Sequence, residues 1–203
     1  MIFKGKILNL READTNDVKL IAKYMTDEEF CYLLFGTKSE DVPKLENEIA
    51  LLIGKGGGIF GYDFYYVIET KQKEPIGLVI FRNIDWKNRN LTYELIITEK
   101  KYRGRKYGVD TILTSFMLAF KELNMHKVMG RIHSFNGRML KFIEQGSPVF
   151  KMTKEGSLRG QAFRDGKYYD TIVFSMLESE YQKFRKTFFA RMYYLGVKLA
   201  VWK

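Results

Sequence analysis

The sequence predicts an α/β (α+β) domain in which helices pack on a central mixed, mostly antiparallel sheet. Three observations point there. Apolar residues recur at helical spacing in the first quarter, the period shifts to that of strands from Phe60 onward, and a strand–helix–strand stretch precedes a closing hairpin. The 203 residues are 46% hydrophobic and 15% aromatic, enough for one substantial core and unlike a disordered polyelectrolyte.

Lys6-Ile7-Leu8-Asn9-Leu10-Arg11 alternates apolar and polar residues and reads as the first strand. Asp14-Thr15-Asn16-Asp17 offers N-cap chemistry to a helix whose stripe is Val18, Ile21, Ala22 and Met25. A second helix is expected from about Ser39 to Ile53, stopped by Gly54-Lys55-Gly56-Gly57-Gly58. Phe64–Ile68, Ile76–Phe81 and Leu91–Ile97 are rich in aromatic and β-branched residues and read as a meander. Val109, Ile112, Leu113, Phe116, Phe120 and Leu123 form a strong helical stripe. His126–His133 reads as a strand, Arg138–Glu144 as a short helix, and Glu155–Leu177 as a hairpin turning at Asp165-Gly166. From Tyr181 to Trp202 a basic amphipathic stripe suggests a helix, with Gly196 as a break. The expected division is a domain over 1–177 and a helical extension over 178–203.

Lys plus Arg number 34 and Asp plus Glu 24, a balance of +10 that would draw nucleic acid, anionic lipid or a polyphosphate-bearing cofactor. No nucleic-acid reading motif accompanies it. Cys31 stands alone, so neither a disulfide framework nor a Cys-based zinc cluster is expected, and His126 and His133 have no metal-ligand arrangement. No metal is expected. The opening lacks the uninterrupted apolar core of a secretory signal and no apolar run is long enough to span a bilayer, so a cytoplasmic protein is expected.

Two glycine-rich segments compete as phosphate cradles. Gly56-Gly57-Gly58-Ile59-Phe60-Gly61 fits G-x-G-x-x-G, but that fingerprint works after a strand and before a helix, and here the order is inverted. It reads as a helix stop and loop. Tyr102-Arg103-Gly104-Arg105-Lys106-Tyr107-Gly108 has the right context, following a strand and opening a helix. Unpaired N–H groups and the positive end of the helix dipole suit an anion there, and a solvated basic turn is the alternative.

Arg103-Gly104-Arg105-Lys106-Tyr107-Gly108 resembles the R/Q-x-x-G-x-G/A acyl-CoA loop of the GNAT N-acetyltransferases. The resemblance extends from about Lys6 to Leu177. Leu10-Arg11-Glu12-Ala13-Asp14, Gly77-Leu78-Val79-Ile80, Tyr93-Glu94-Leu95-Ile96-Ile97, Ser134-Phe135-Asn136 and Gly166-Lys167-Tyr168-Tyr169-Asp170 are similar to the branch of ribosomal-protein alanine and spermidine acetyltransferases. Two departures stand out. Lys106 replaces a customary glycine, and Ile143 falls where many relatives carry a tyrosine that protonates the leaving thiolate.

The resemblance implies a GNAT fold of about six to seven strands in which two splayed parallel strands hold acetyl-CoA as co-substrate. It implies that amides of Arg103, Gly104, Arg105, Lys106, Tyr107 and Gly108 take the pyrophosphate, that Ile96, Ile97 and Thr98 run beside pantetheine, and that Asn136 belongs to a later cofactor-contacting turn. Glu94 is the first candidate for the base, with a rim salt bridge as the alternative. His133, an imidazole near the end of the neighbouring strand, is the second candidate, and a hydrogen-bonded structural histidine is its alternative. Tyr168 and Tyr169 are candidates for the acceptor side. The acceptor is a primary amine: a protein N-terminus, an amino sugar, a polyamine or another small amine. The extension is expected to pack on its own domain or in a homodimer, with membrane contact as the rival. A catalytically silent GNAT-like CoA-binding or interaction module is the alternative to an acyltransferase.

Overall fold

Alternation sets the first strand of the core. Leu8 and Leu10 are fully buried while Asn9 and Arg11 are part-exposed, so Leu8–Glu12 (β2) lays one face on the interior. A short strand, Ile2–Lys4 (β1), pairs with it antiparallel. Too short to show a period, β1 was not expected. Lys6 and Ile7, expected in the strand, form the connecting turn instead, because the Asp110 carboxylate accepts the N–H groups of Lys6, Ile7 and Leu8 at 3.0, 2.7 and 3.1 Å.

The chain, as a computed structural model, is described over residues 1–27, 29, 31, 42–54, 63–103, 106–144 and 152–187. The elements after β2 are Val18–Met25 (α1), Val42–Gly54 (α2), Phe64–Thr70 (β3), Pro75–Asp85 (β4), Asn90–Ile97 (β5), Tyr107–Met117 (α3), Lys127–His133 (β6), Gly137–Glu144 (α4), Thr153–Arg164 (β7), Lys167–Leu177 (β8) and Glu178–Lys186 (α5). Asp14 and Asp17 form a capping box before α1. The pattern Gly56–Gly61 lies outside the described residues.

Among the described residues eight strands form one sheet in the order β1-β2-β3-β4-β5-β6-β8-β7, one or two more than expected. All neighbours are antiparallel except β5 and β6. Two apolar layers cover the sheet. On one side Leu8, Leu10, Phe81, Leu91, Ile112, Phe116, Val128 and Phe174 pack with α3 and α5, and on the other Ile21, Ile49, Val67, Leu78, Ile80 and Ile96 pack with α1 and α2. β3 and β4 are buried on both faces because they lie between these layers. Gly77 lets β4 and β5 approach: a Cβ there would fall 2.1 Å from the Ile96 carbonyl oxygen.

Helix α3 runs directly into a π-helical turn at Leu118–Glu122. α5 joins the core through Tyr181, which is fully buried and stacks on Phe120 at 4.8 Å between centroids. Of the helical stripe expected from Tyr181 to Trp202, the described part is α5, which ends at Lys186, where extended Thr187 donates its Oγ1 hydrogen to the Phe184 carbonyl at 2.6 Å. Residues 188–203 lie outside the described residues. No helix of the described residues is long and apolar enough to cross a membrane.

Candidate active site

The site begins where pairing on β5 changes. Asn90, Leu91 and Thr92 pair in parallel with Lys127, Val128 and Met129 of β6, and there the pairing ends. β5 continues to Ile97 against β4, while β6 continues to His133 against β8. The two parallel strands thus splay, leaving a notch between Tyr93–Ile97 and Gly130–His133.

The Thr98 N–H donates to the Ile76 carbonyl at 3.0 Å. Antiparallel alternation therefore turns the N–H and C=O groups of Tyr93, Leu95 and Ile97 away from β4 and into the notch. Main-chain groups on a half-buried strand edge are ready to pair, so this edge is suited to an extended ligand with amide groups of its own. Gly130 keeps the facing wall low: a Cβ there would have only the Tyr93 carbonyl oxygen, at 3.9 Å, as a neighbour.

Arg103 closes the far end of the notch. Its Nε donates to the Ile97 carbonyl at 2.7 Å, its Nη2 to the Thr98 carbonyl at 3.0 Å, and its Nη1 to Glu29 Oε1 at 2.6 Å. That bond, above all, holds the Glu29 carboxyl below its usual range. Lys106 follows with φ 69°, left-handed, as the N-cap of α3, and its carbonyl accepts the Asp110 N–H at 3.0 Å. The positive φ explains why a glycine is customary at this place in the loop pattern. The first N–H groups of α3 have no partner within the helix. A Cβ on Gly108 would meet only Ile97 Cδ1, at 4.0 Å, which leaves room for an anion beside them. Tyr107 packs edge-on against Tyr102 at 4.9 Å. Gly104 and Arg105 lie outside the described residues.

Glu94 shares its face of β5 with Ile96, on the α1 side. Its Oε2 accepts from Arg82 Nε at 2.8 Å, and Arg82 Nη1 donates to Asp63 Oδ2 at 2.8 Å. Burial disfavours the charge on Arg82, but Glu94, Tyr65 and Asp63 outweigh it and hold the guanidinium protonated. Arg82 also lies 5.9 Å from the centroid of the Tyr65 ring, whose hydroxyl is pushed above its ordinary pKa by burial.

Across the notch, His133 Nδ1 lies 2.8 Å from Thr171 Oγ1, and its ring is 5.1 Å from that of Phe135. Asn136 opens α4, accepting the Met139 N–H on its side-chain oxygen at 3.3 Å while donating its own N–H to the His133 carbonyl at 2.8 Å. Ile143 is only 6% exposed and belongs to the core. Tyr169 packs on Phe135, and Tyr168 is exposed beside Phe163. The structure thus gathers Glu94, Ile96, Ile97, Thr98, Arg103, Tyr107 and Gly108 along one wall and end of the notch, with His133 on the other strand and Asn136 just after it. Sequence reasoning did not select Arg82 or Asp63, whose pairing is nonlocal. Among the described residues no group of three His, Cys, Asp or Glu could hold a metal ion.

A sheet with one parallel pair that splays beside a helix N-terminus defines a protein built to hold a long, partly anionic ligand in an extended form. The chain belongs to the GNAT acetyltransferase family, whose acetyltransferase (GNAT) domain model matches residues 8–145. Its relatives include the SPbeta prophage-derived uncharacterized N-acetyltransferase YokL of Bacillus subtilis, 30% identical over 120 residues, or 59% of this chain and 65% of that protein. The spermidine N(1)-acetyltransferase of Vibrio cholerae is 28% identical over 116 residues, covering 57% of this chain and 64% of that protein. The alignments thus span just under two thirds of these two relatives. Among solved structures, spermidine N-acetyltransferase from Vibrio cholerae in complex with CoA and spermine superposes with a TM-score of 0.74 at 23% identity, covering 86% of this chain and 98% of that one. That likeness shows the fold.

Proposed function

We propose that this protein is an acetyl-CoA-dependent N-acetyltransferase that moves an acetyl group to a primary amine by direct attack in a ternary complex. The observation that carries this is the splay of β5 from β6 beyond Thr92 and Met129, beside the N-terminus of α3. Main-chain groups of Tyr93, Leu95 and Ile97 would hold the extended arm, and loop amides up to Gly108 the diphosphate, with Lys106 adding positive charge. The Arg103 N–H, expected among them, is instead given to the Lys100 carbonyl at 3.1 Å, and its guanidinium to Glu29. Acetyl-CoA supplies an activated acyl group as a thioester. The protein's part is to align acceptor and donor, which lowers the entropic barrier, and to place N–H donors where charge builds on the carbonyl oxygen.

The acceptor amine must lose a proton before or as its nitrogen bonds to the acetyl carbon and the C–S bond breaks. Glu94 is the group proposed to take it, directly or through water, with Arg82 and Asp63 fixing its orientation. His133 is a secondary candidate, tied to Thr171. The leaving thiolate needs a proton in turn. Core-facing Ile143 offers none, and this favours the second reading, a catalytically silent CoA-binding module. The Vibrio cholerae relatives bear names of spermidine acetyltransferases, one in a dodecameric structure, which supports an amine acceptor and self-association.

A screen of amines with acetyl-CoA, reading thiol release and the mass of the acetylated product, tests the enzyme reading. Release with at least one amine is expected, and none with any amine would favour the silent module. Gly108→Trp should weaken acetyl-CoA binding about a hundredfold by filling the cradle, measured by calorimetry. Native-like affinity in that variant would refute the loop assignment.

A further inference from the structure

The face of the sheet that carries Glu94 also carries an arginine with a different charge environment. Val128 and Ile132 of β6 pack with the α3-side core, so Met129, Arg131 and His133 point to the opposite face, the one Glu94 and Ile96 share. Arg131 stands two residues, about 6–7 Å of strand, beyond the last β5–β6 pair, and so on the splayed stretch. It is exposed, and its register neighbour on β8 is Val173.

Among the described residues four carboxylates on this face already have cations. Asp63 and Glu94 share Arg82. Glu29 is taken by Arg103 and, at 3.8 Å, by Lys100. Glu155, on β7, pairs with Lys127 at the start of β6 at 2.9 Å. Among the described residues Arg131 has no ion pair. Among the described residues these four carboxylates are matched by four cations, Arg82, Arg103, Lys100 and Lys127, so a polycation approaching this face would meet the Arg131 guanidinium as excess positive charge. An amine that also carries an oxyanion would meet the reverse, because a guanidinium binds carboxylate or phosphate oxygens in paired, charge-assisted hydrogen bonds.

Resting on the N-acetyltransferase reading above, we infer that the acceptor is a small amine bearing an oxyanion, carboxylate or phosphate, and that Arg131 is the residue that selects it. The oxyanion sits on the β6 wall while the amine lies toward Glu94 on the β5 wall. Arg131 then acts on acceptor recognition and leaves the acetyl-CoA loop untouched.

The test compares kcat/KM at saturating acetyl-CoA for matched acceptors: β-alanine against β-alaninamide, phosphoethanolamine against ethanolamine, and spermidine. The native protein, Arg131→Gln and Arg131→Lys are each measured, with melting temperature and acetyl-CoA affinity alongside. The native protein should favour the charged member of one matched pair by about tenfold or more, and which pair responds distinguishes carboxylate from phosphate. Arg131→Gln should bring that ratio to within about twofold of unity, with KM moving rather than kcat, while melting and acetyl-CoA affinity stay native. Arg131→Lys should retain part of the preference. Preference of the native protein for spermidine or for the neutral partners overturns the inference, as does a ratio that survives Arg131→Gln. Failure of the native protein to acetylate any amine, in this set or the wider screen, overturns the enzyme reading and this inference with it.

Discussion

Two stretches of one strand behave differently. Asn90–Thr92 of β5 are paired on both edges, by β4 and by β6, whereas Tyr93–Ile97 keep only β4. The side chains of both stretches are packed into the same two layers, so the difference lies in the main chain. The first stretch spends its hydrogen-bonding capacity on the fold, and the second keeps one edge for a ligand, with the Arg103 guanidinium meeting the last carbonyl. A few residues of lost pairing turn a structural strand into a binding surface.

That contrast can be broken or sharpened in order of expected effect. Glu94 lies on the open stretch, and Glu94→Gln should lower kcat by about 10²–10⁴-fold, the usual worth of a general base, with acetyl-CoA affinity changed less. An unaltered pH–rate profile would remove Glu94 from that role. Gly77→Ala attacks the edge the open stretch retains: its Cβ would meet the Ile96 carbonyl oxygen, so β4 must move away from β5. A loss of about 3 kcal/mol is expected in urea unfolding.

Asp17 tests a region remote from the notch and should affect stability alone. Burial raises its pKa, but the hydrogen bond from Arg11, the Asp14 N–H and the Arg11 charge lower it more, so the net shift is downward. Asp17→Asn should therefore cost about 2 kcal/mol at neutral pH. The folded carboxyl titrates below its unfolded value, so this stabilisation is complete above the unfolded pKa of about 3.8 and fades as pH falls through the folded value. The gap between native and variant should shrink in acid, read by thermal melts across that range. A gap that widened would reverse the assignment. Lys106→Gly is the smallest: removing the Cβ from a left-handed residue should stabilise the protein by up to about 1 kcal/mol, while loss of its exposed charge weakens acetyl-CoA binding by only about threefold.

The layered fold was legible because its signals are local. The aromatic and β-branched runs at Phe64–Ile68 and Leu91–Ile97, the helical stripe from Val109, and Asp165-Gly166 in the hairpin each specify an element within a few residues. The loop pattern at 103–108 was legible for the same reason, including the departure at Lys106, a left-handed position that favours the glycine it replaces. The Arg82 bridge between Glu94 and Asp63 was not, since it joins residues 12 and 19 positions away that acquire a common location only when β3, β4 and β5 pair. Nor was the hold of Asp110 on the β1–β2 turn, which spans more than 100 positions. Nor does periodicity report a local hydroxyl such as that of Thr187, which donates to the Phe184 carbonyl at the end of α5.

The central claim, that the open stretch of β5 and the first turn of α3 hold acetyl-CoA, is tested most directly by residue-resolved amide hydrogen exchange with and without saturating acetyl-CoA. Amides of Leu95, Ile97, Tyr107 and Gly108 should slow by about tenfold or more, while those of Thr92 and Glu94, already bonded to β4, keep their rates. Unchanged exchange at Leu95 and Ile97 in the bound protein, with slowing confined to other strands, would contradict it.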